Sequence, residues 1–176
     1  SMVLLYGLTL LRRFIGVEYE VIGLTIDPGF GGTPGDFSPT EEFCRNIGIR
    51  YHVERTQIGE IVFDVRKEPN PCSLCARMRR GALHNAAQEL GCNKIALGHH
   101  FDDVIETTLM GMLYSGQIQG MLPRLKSTNF PGMELIRPMT LIKEDDIKRW
   151  AAYNDLHFLR CACRLTELEK LSPDEA

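Results

Sequence analysis

Short β-branched runs alternate along the chain with longer stretches of helical apolar spacing, and that alternation predicts the architecture. Met2 to Arg13 repeats its apolar residues at helical spacing, and Glu20 to Ile26 is short and β-branched. A Gly/Pro-rich loop runs from Asp27 to Asp36. Ser38, Pro39 and Glu41 then spell a capping box with proline at the first helical position, opening a helix that reaches about Ile47. Ile49 to Val53 reads as a strand, and an amphipathic stretch from about Leu74 to Leu90 is stopped by Gly91. Lys94 to Leu97 is a short buried strand that runs through Gly98 into a polar turn and a helix from about Asp102 to Leu113. Gly111, Gly116 and Gly120 break up what comes next, so 115–133 reads as a mobile connection. Glu134 to Arg137 is one more strand, halted by Pro138. Ile142 to Tyr153 is a final helix with Ile147, Trp150 and Ala151 on one face, and the charged residues after it are peripheral.

Repeated strand–helix alternation predicts an α/β fold built on a doubly wound parallel sheet. With 176 residues and no internal repeat, a single domain over 1–176 is the simplest account. Ligands in such sheets bind at the carboxyl ends of the strands. No apolar run approaches the roughly 20 residues needed to cross a bilayer. The opening Met2 to Leu11 is followed by two arginines and no small-residue cleavage site, so it reads as a core helix and not a signal peptide. The expected setting is the cytoplasm, with no membrane partner. A net charge of −3 gives the whole chain no electrostatic footprint for nucleic acid. Any RNA contact must come from local clusters such as Arg77, Arg79 and Arg80, or Arg124 and Lys126, which are otherwise ordinary solvated faces.

The densest chemistry lies in GHHFDDVIET, Gly98 to Thr107, directly after a buried strand. Asp102 is placed to cap the helix, Asp103 to occupy its first position, and Glu106 to share a side with Asp102. Acids at a helix start satisfy the macrodipole without any function. That explanation covers Asp102 alone but not two histidines and three acids together. Such a cluster suits an Mg²⁺–triphosphate site, with carboxylates holding the metal and an imidazole donating to phosphate.

Four of six cysteines form two tight pairs, Cys72/Cys75 and Cys161/Cys163, which favours metal or redox chemistry over a disulfide framework. Cys72 and Cys75 share one side of a starting helix, where thiol pKa falls, and Arg77, Arg79 and Arg80 add positive charge. A redox pair, half of a structural zinc site and part of an iron–sulfur site all remain open. With the second pair, zinc and iron–sulfur are evenly matched on spacing. Cys44 and Cys92, isolated among apolar neighbours, read as core.

CSLCARMRRG (Cys72 to Gly81) and GHHFDDVIETTLM (Gly98 to Met110), in this order, resemble the tRNA 2-thiocytidine synthetase family of PP-loop ATPases. The IRP of Ile136 to Pro138 and the subsequent KEDDIKRW helix add to the likeness, which covers nearly the whole chain. Ser1 and the apolar residues after it resemble the last serine of the family's phosphate loop and its helix. The resemblance therefore implies that a strand and the rest of that loop precede Ser1. It further implies that ATP, with Mg²⁺, adenylates the C2 oxygen of a tRNA cytidine, and that sulfur then displaces AMP. His99, Asp102 and Asp103 match the ATP-site motif, with Ser1 in the phosphate loop and Asp27 near the nucleotide. Cys72, Cys75 and Cys161 would hold a 4Fe–4S cluster with one iron open, zinc taking its place if the cluster is lost. The family's later pair is more often CxxC, so Cys163 is either the third ligand in place of Cys161 or a spare thiol that carries persulfide. Arg77, Arg79 and Arg80 would contact tRNA phosphates. A sulfur donor such as a cysteine desulfurase is implied as a partner, and a homodimer is compatible. The rival readings are a uridine-thiolating relative, a non-catalytic RNA-binding module with structural zinc, and a simple thiol-redox protein.

Overall fold

A computed structural model of the chain describes residues 2–30, 34–66, 70–118 and 120–156. In chain order its elements are α1 (Met2–Leu11), β1 (Ile22–Asp27), α2 (Ser38–Asn46), β2 (Arg50–Arg55) and α3 (Ile58–Glu60), which widens into a π-helix over Ile61–Arg66. Next come α4 (Pro71–Glu89), β3 (Lys94–Ala96), α5 (Phe101–Ser115), β4 (Arg124–Lys126), β5 (Glu134–Ile136) and α6 (Glu144–Tyr153). The α/β class predicted by the alternation is present, with parallel pairing of β1 with β2 and of β3 with β5.

The strands form two ladders, β1–β2 and β3–β5–β4. Side-chain packing bridges them, since Leu24 of β1 lies against the buried cluster of Ala87, Ile95 and Met133. The long helix α4 touches β1, β2 and β3. A second cluster of Val21, Cys44 and Ile49 is covered by Leu5 and Leu8 of α1. Tyr6 and Trp150 then dock α1 on α6, with ring centroids 5.2 Å apart. Cys44 is fully buried and Cys92 packs beside Ile95, as the isolated cysteines were expected to do. Burial raises both thiols above their ordinary range, which keeps them protonated and unreactive.

Two local expectations fail for identifiable reasons. Ser38 does not close a capping box: Asp36 Oδ1 accepts from both the Ser38 amide at 3.0 Å and its hydroxyl at 2.6 Å, so the serine is spent on the preceding turn. The stretch 115–133 is not a mere connection, because it contributes β4, antiparallel to β5 with Leu125 opposite Leu135. All three β4 residues are exposed, so this edge strand has no apolar alternation to announce it.

Glu134 of β5 joins three strands through its carboxylate, accepting from Arg124 of β4 and Lys94 of β3 at 2.6 Å each. Those hydrogen bonds hold its carboxyl down from 4.5 to about 2. A depressed carboxyl contributes stability that is present above the unfolded value and is lost as pH falls through the folded one. Denaturant midpoints are therefore expected to fall between about pH 4.5 and 2, with Glu134→Gln flattening that slope. An unchanged slope in the variant would mean that the triad is idle.

Candidate active site

Because β3 and β5 run parallel in register, with Ala96 opposite Ile136, the residues after each strand emerge at one edge. Gly98–His99–His100 leaves β3 there, and Arg137 leaves β5. Arg137 Nε donates to His99 Nδ1 at 3.3 Å, and Arg137 Nη1 donates to the Leu122 carbonyl. Burial, and then the charge of Arg137, push the His99 imidazole below its usual value. Burial, and then the charge of Arg80 on α4, lower Arg137 itself, so Arg80 is close enough to act on this edge.

The start of α5 differs from expectation by two residues. His100 is the cap, in extended backbone with φ −111°, and its Nδ1 accepts from the Asp103 amide at 3.4 Å. Asp103 Oδ2 returns the bond, accepting from the His100 amide at 2.8 Å. This is the reciprocal arrangement of a capping box, with histidine in the position usually taken by serine or aspartate. Asp102 is thereby released from its expected capping role on α5. Its Oδ2 instead accepts from the Glu144 amide at 2.8 Å, which caps α6 across the site. Lys143, the residue that precedes α6, makes no side-chain cap of its own. Asp102→Ala is therefore expected to cost about 1 kcal/mol of stability, the usual worth of a cap. Asp102→Asn, which keeps an acceptor, should cost less, and equal urea midpoints for wild type and alanine variant would overturn the assignment.

Asp27 closes β1 with only 5% of its surface exposed, and its carboxylate is already committed. Oδ1 accepts from the Gly29 amide at 3.0 Å, and Oδ2 from the Gly35 amide at 3.1 Å and Arg55 Nη1 at 3.4 Å. Arg55 lies opposite Asp27 in the β1–β2 register, so the pair is built into the sheet. Gly29 has φ +68°, and a Cβ there would meet the Thr56 carbonyl oxygen at 2.6 Å, so only glycine fits this turn. The carboxylate thus shapes the loop after β1, and any contact it makes with a nucleotide is through that loop.

Cys72 and Cys75 lie in the first turns of α4, which starts at Pro71 with Asn70 capping the Ser73 amide at 3.2 Å. Cys72 is exposed and Cys75 half-buried. Arg77, Arg79 and Arg80 are exposed further along the same helix. Arg80 is eight residues beyond Cys72, or about 12 Å along the axis at the α-helical rise. The thiols and the His99–Arg137 edge are thus two ends of one short path along α4. Ser1, Cys161 and Cys163 lie outside the described residues. A hollow of about 340 Å³ lined by Thr9, Arg12, Arg13, Val17 and Glu18 shares no residue with either cluster.

Sequence reasoning missed Arg137 as a site residue. It was visible only as the middle of IRP, and its partner His99 is 38 positions away. A basic residue at the end of the strand paired with the one that leads into GHHFDD was the available signal.

A family model for the PP-loop domain matches residues 1–162. The chain is 40% identical over 164 residues to the tRNA-cytidine(32) 2-sulfurtransferase of Syntrophotalea carbinolica, covering 93% of this chain and 62% of that one. It is 36% identical over 189 residues to the enzyme of the same name from Geobacter sulfurreducens, covering 98% and 72%. The chain thus spans less than two thirds of the first of these relatives. Among solved structures it is similar to the U34-tRNA thiolase NcsA from Methanococcus maripaludis with its 4Fe–4S cluster, with a TM-score of 0.73 and 25% identity, covering 93% of this chain and 55% of that one. Matched by the PP-loop model over residues 1–162 and by a relative of which it covers 72%, this chain belongs to the PP-loop family, on the branch of the tRNA-cytidine 2-sulfurtransferases.

Proposed function

We propose that this chain is the nucleotide-binding and thiolating domain of an ATP-dependent tRNA sulfurtransferase acting on cytidine. The observation that carries the reading is the joint emergence of His99, His100, Asp102, Asp103 and Arg137 at one sheet edge, where the charge of Arg80 on the Cys72/Cys75 helix is also felt. ATP binds at that edge, with Ser1 and the loop shaped by Asp27 completing the cradle. One oxygen of Asp103 and one of Asp102 hold backbone amides, so each carboxylate keeps a second oxygen for a Mg²⁺ ion on the phosphates. The C2 oxygen of cytidine attacks the α-phosphorus, pyrophosphate leaves, and the base becomes an activated phosphate ester. A sulfur nucleophile then attacks C2, the C2–O bond breaks, and AMP departs.

Cys72 and Cys75 have the donor chemistry for an iron–sulfur cluster, as thiolates on one side of a helix start, and Cys161 is the third ligand. When bound, a 4Fe–4S cluster with one open iron position supplies a place for sulfur. Cys163 is the spare thiol, able to take up sulfur from an outside donor such as a cysteine desulfurase. Arg77, Arg79 and Arg80 hold tRNA phosphates and set the register of the anticodon loop over the edge. The chain is expected in the cytoplasm, and a homodimer remains compatible with it.

Nucleoside mass spectrometry of tRNA from a deletion strain tests the reading. Loss of 2-thiocytidine, restored by the full-length gene, is expected. Loss of 2-thiouridine with 2-thiocytidine intact would move the assignment to the uridine-thiolating relatives, whose structure the fold resembles.

A further inference from the structure

We propose that Arg137 is a positioning residue that locks His99 as its Nε2–H tautomer, so that His99 meets the nucleotide as a neutral hydrogen-bond donor and not as a base. The proposal rests on the reading that ATP binds at this edge. Its physical basis is the donor count of the two side chains. A guanidinium has five N–H groups and no acceptor, so an imidazole nitrogen facing it must bring a lone pair. Arg137 Nε faces His99 Nδ1 at 3.3 Å, which assigns the lone pair to Nδ1 and the proton of the neutral ring to Nε2.

Protonating that ring would place an N–H against an N–H beside a fixed cation. Arg137 is held beside the ring by its Nη1, which donates to the Leu122 carbonyl, and its backbone is fixed by an amide hydrogen bond to the Pro123 carbonyl at 2.8 Å. The groups acting on His99 are its own burial, then Arg137 and His100 against protonation and Asp103 in favour of it, and the net direction is downward. At neutral pH the ring is then uncharged, with its Nε2 already protonated. Such a nitrogen can donate to a phosphate oxygen but cannot remove a proton from the cytidine. The histidine of this motif is therefore assigned to phosphate positioning and not to proton transfer.

Long-range proton–nitrogen NMR on full-length protein labelled in the histidine rings tests this, with His99 assigned by its loss in His99→Gln. Near pH 8 wild-type His99 is expected as a single Nε2–H tautomer. Arg137→Met should give a tautomer mixture and a higher His99 pKa, and Arg137→Lys, which keeps a donor, should hold the wild-type tautomer. Wild-type Nδ1–H, or a tautomer unmoved by Arg137→Met, overturns the proposal. If Arg137→Met does not fold, the wild-type tautomer alone decides. Thiolation by Arg137→Met is expected to fall about tenfold in kcat. His99→Gln should lose at least as much, and the double variant no more than His99→Gln by itself, whereas additive losses would place the action of Arg137 elsewhere and overturn the positioning role. Titration with magnesium and a non-hydrolysable ATP analogue separates the two readings. A shifted Nε2 resonance supports both, and an unmoved one sinks nucleotide binding at His99 while leaving the tautomer result to stand by itself.

Discussion

Asp103→Ala is expected to lower ATP-dependent tRNA thiolation by at least about 100-fold, the lower range for loss of a group acting in the transition state, with iron and sulfide content unchanged. The alanine variant by itself cannot say why, because Asp103 has two separable roles. Its Oδ2 accepts from the His100 amide and closes the start of α5, a role any short acceptor side chain can fill. Its charge faces the edge where triphosphate and magnesium are proposed to lie. Asp103→Asn separates them, since the amide oxygen still accepts from His100 but carries no charge. If the charge matters, both variants lose thiolation to a similar extent, and only alanine loses the cap's roughly 1 kcal/mol of stability. Full activity in the asparagine variant would reduce Asp103 to a cap and move the magnesium site elsewhere. AMP release and thiolated cytidine, measured in one reaction with urea melts alongside, distinguish these outcomes.

The same duality marks what was legible in the sequence. The position of GHHFDD was readable, because the short run Lys94 to Leu97, bounded by Gly98, reads as a strand reaching its carboxyl end, and the structure has β3 there. Which residue capped the helix was not. Preferences favour aspartate, and Asp102 had the right type, but His100 took the role once Asp103 could return its bond and Asp102 could reach Glu144 on another element. That competition is between residues 42 apart and leaves no local trace. The cysteine helix was legible as a unit, and the structure moved its start back only to Pro71, where proline and an asparagine cap agree. Asp27 was correctly placed at a strand end, yet its carboxylate is taken by Gly29, Gly35 and Arg55, contacts that depend on loop shape and sheet register. β4 escaped notice because an exposed three-residue edge strand is defined by its partner and not by its own pattern. Site chemistry was thus readable where one local stretch holds it, and unreadable where parallel pairing makes it.

Replacing Cys72 or Cys75 by serine is expected to abolish thiolation, by more than about 100-fold, while nucleotide binding stays near wild type. Serine is the informative substitution. It has nearly the size of cysteine and suits a first helical turn, and Asn70 still caps Ser73, so α4 should form as before. The only large change is the loss of a soft thiolate donor, for which a hydroxyl is no substitute on iron. The path along α4 predicts the separation of effects. Arg80 is about 12 Å along the helix from Cys72 and about 7.5 Å from Cys75, so the separation is cleanest for Cys72, which lies beyond the distance at which independent substitutions usually couple. The binding of an ATP analogue should therefore survive, and the iron, sulfide and brown colour of anaerobically purified full-length protein should not. Wild-type protein should hold about four irons and four sulfides per chain. About one zinc and no colour would instead make the cysteines a structural clamp. Serine variants that then lost folding stability along with thiolation would place the sulfur carrier outside this helix.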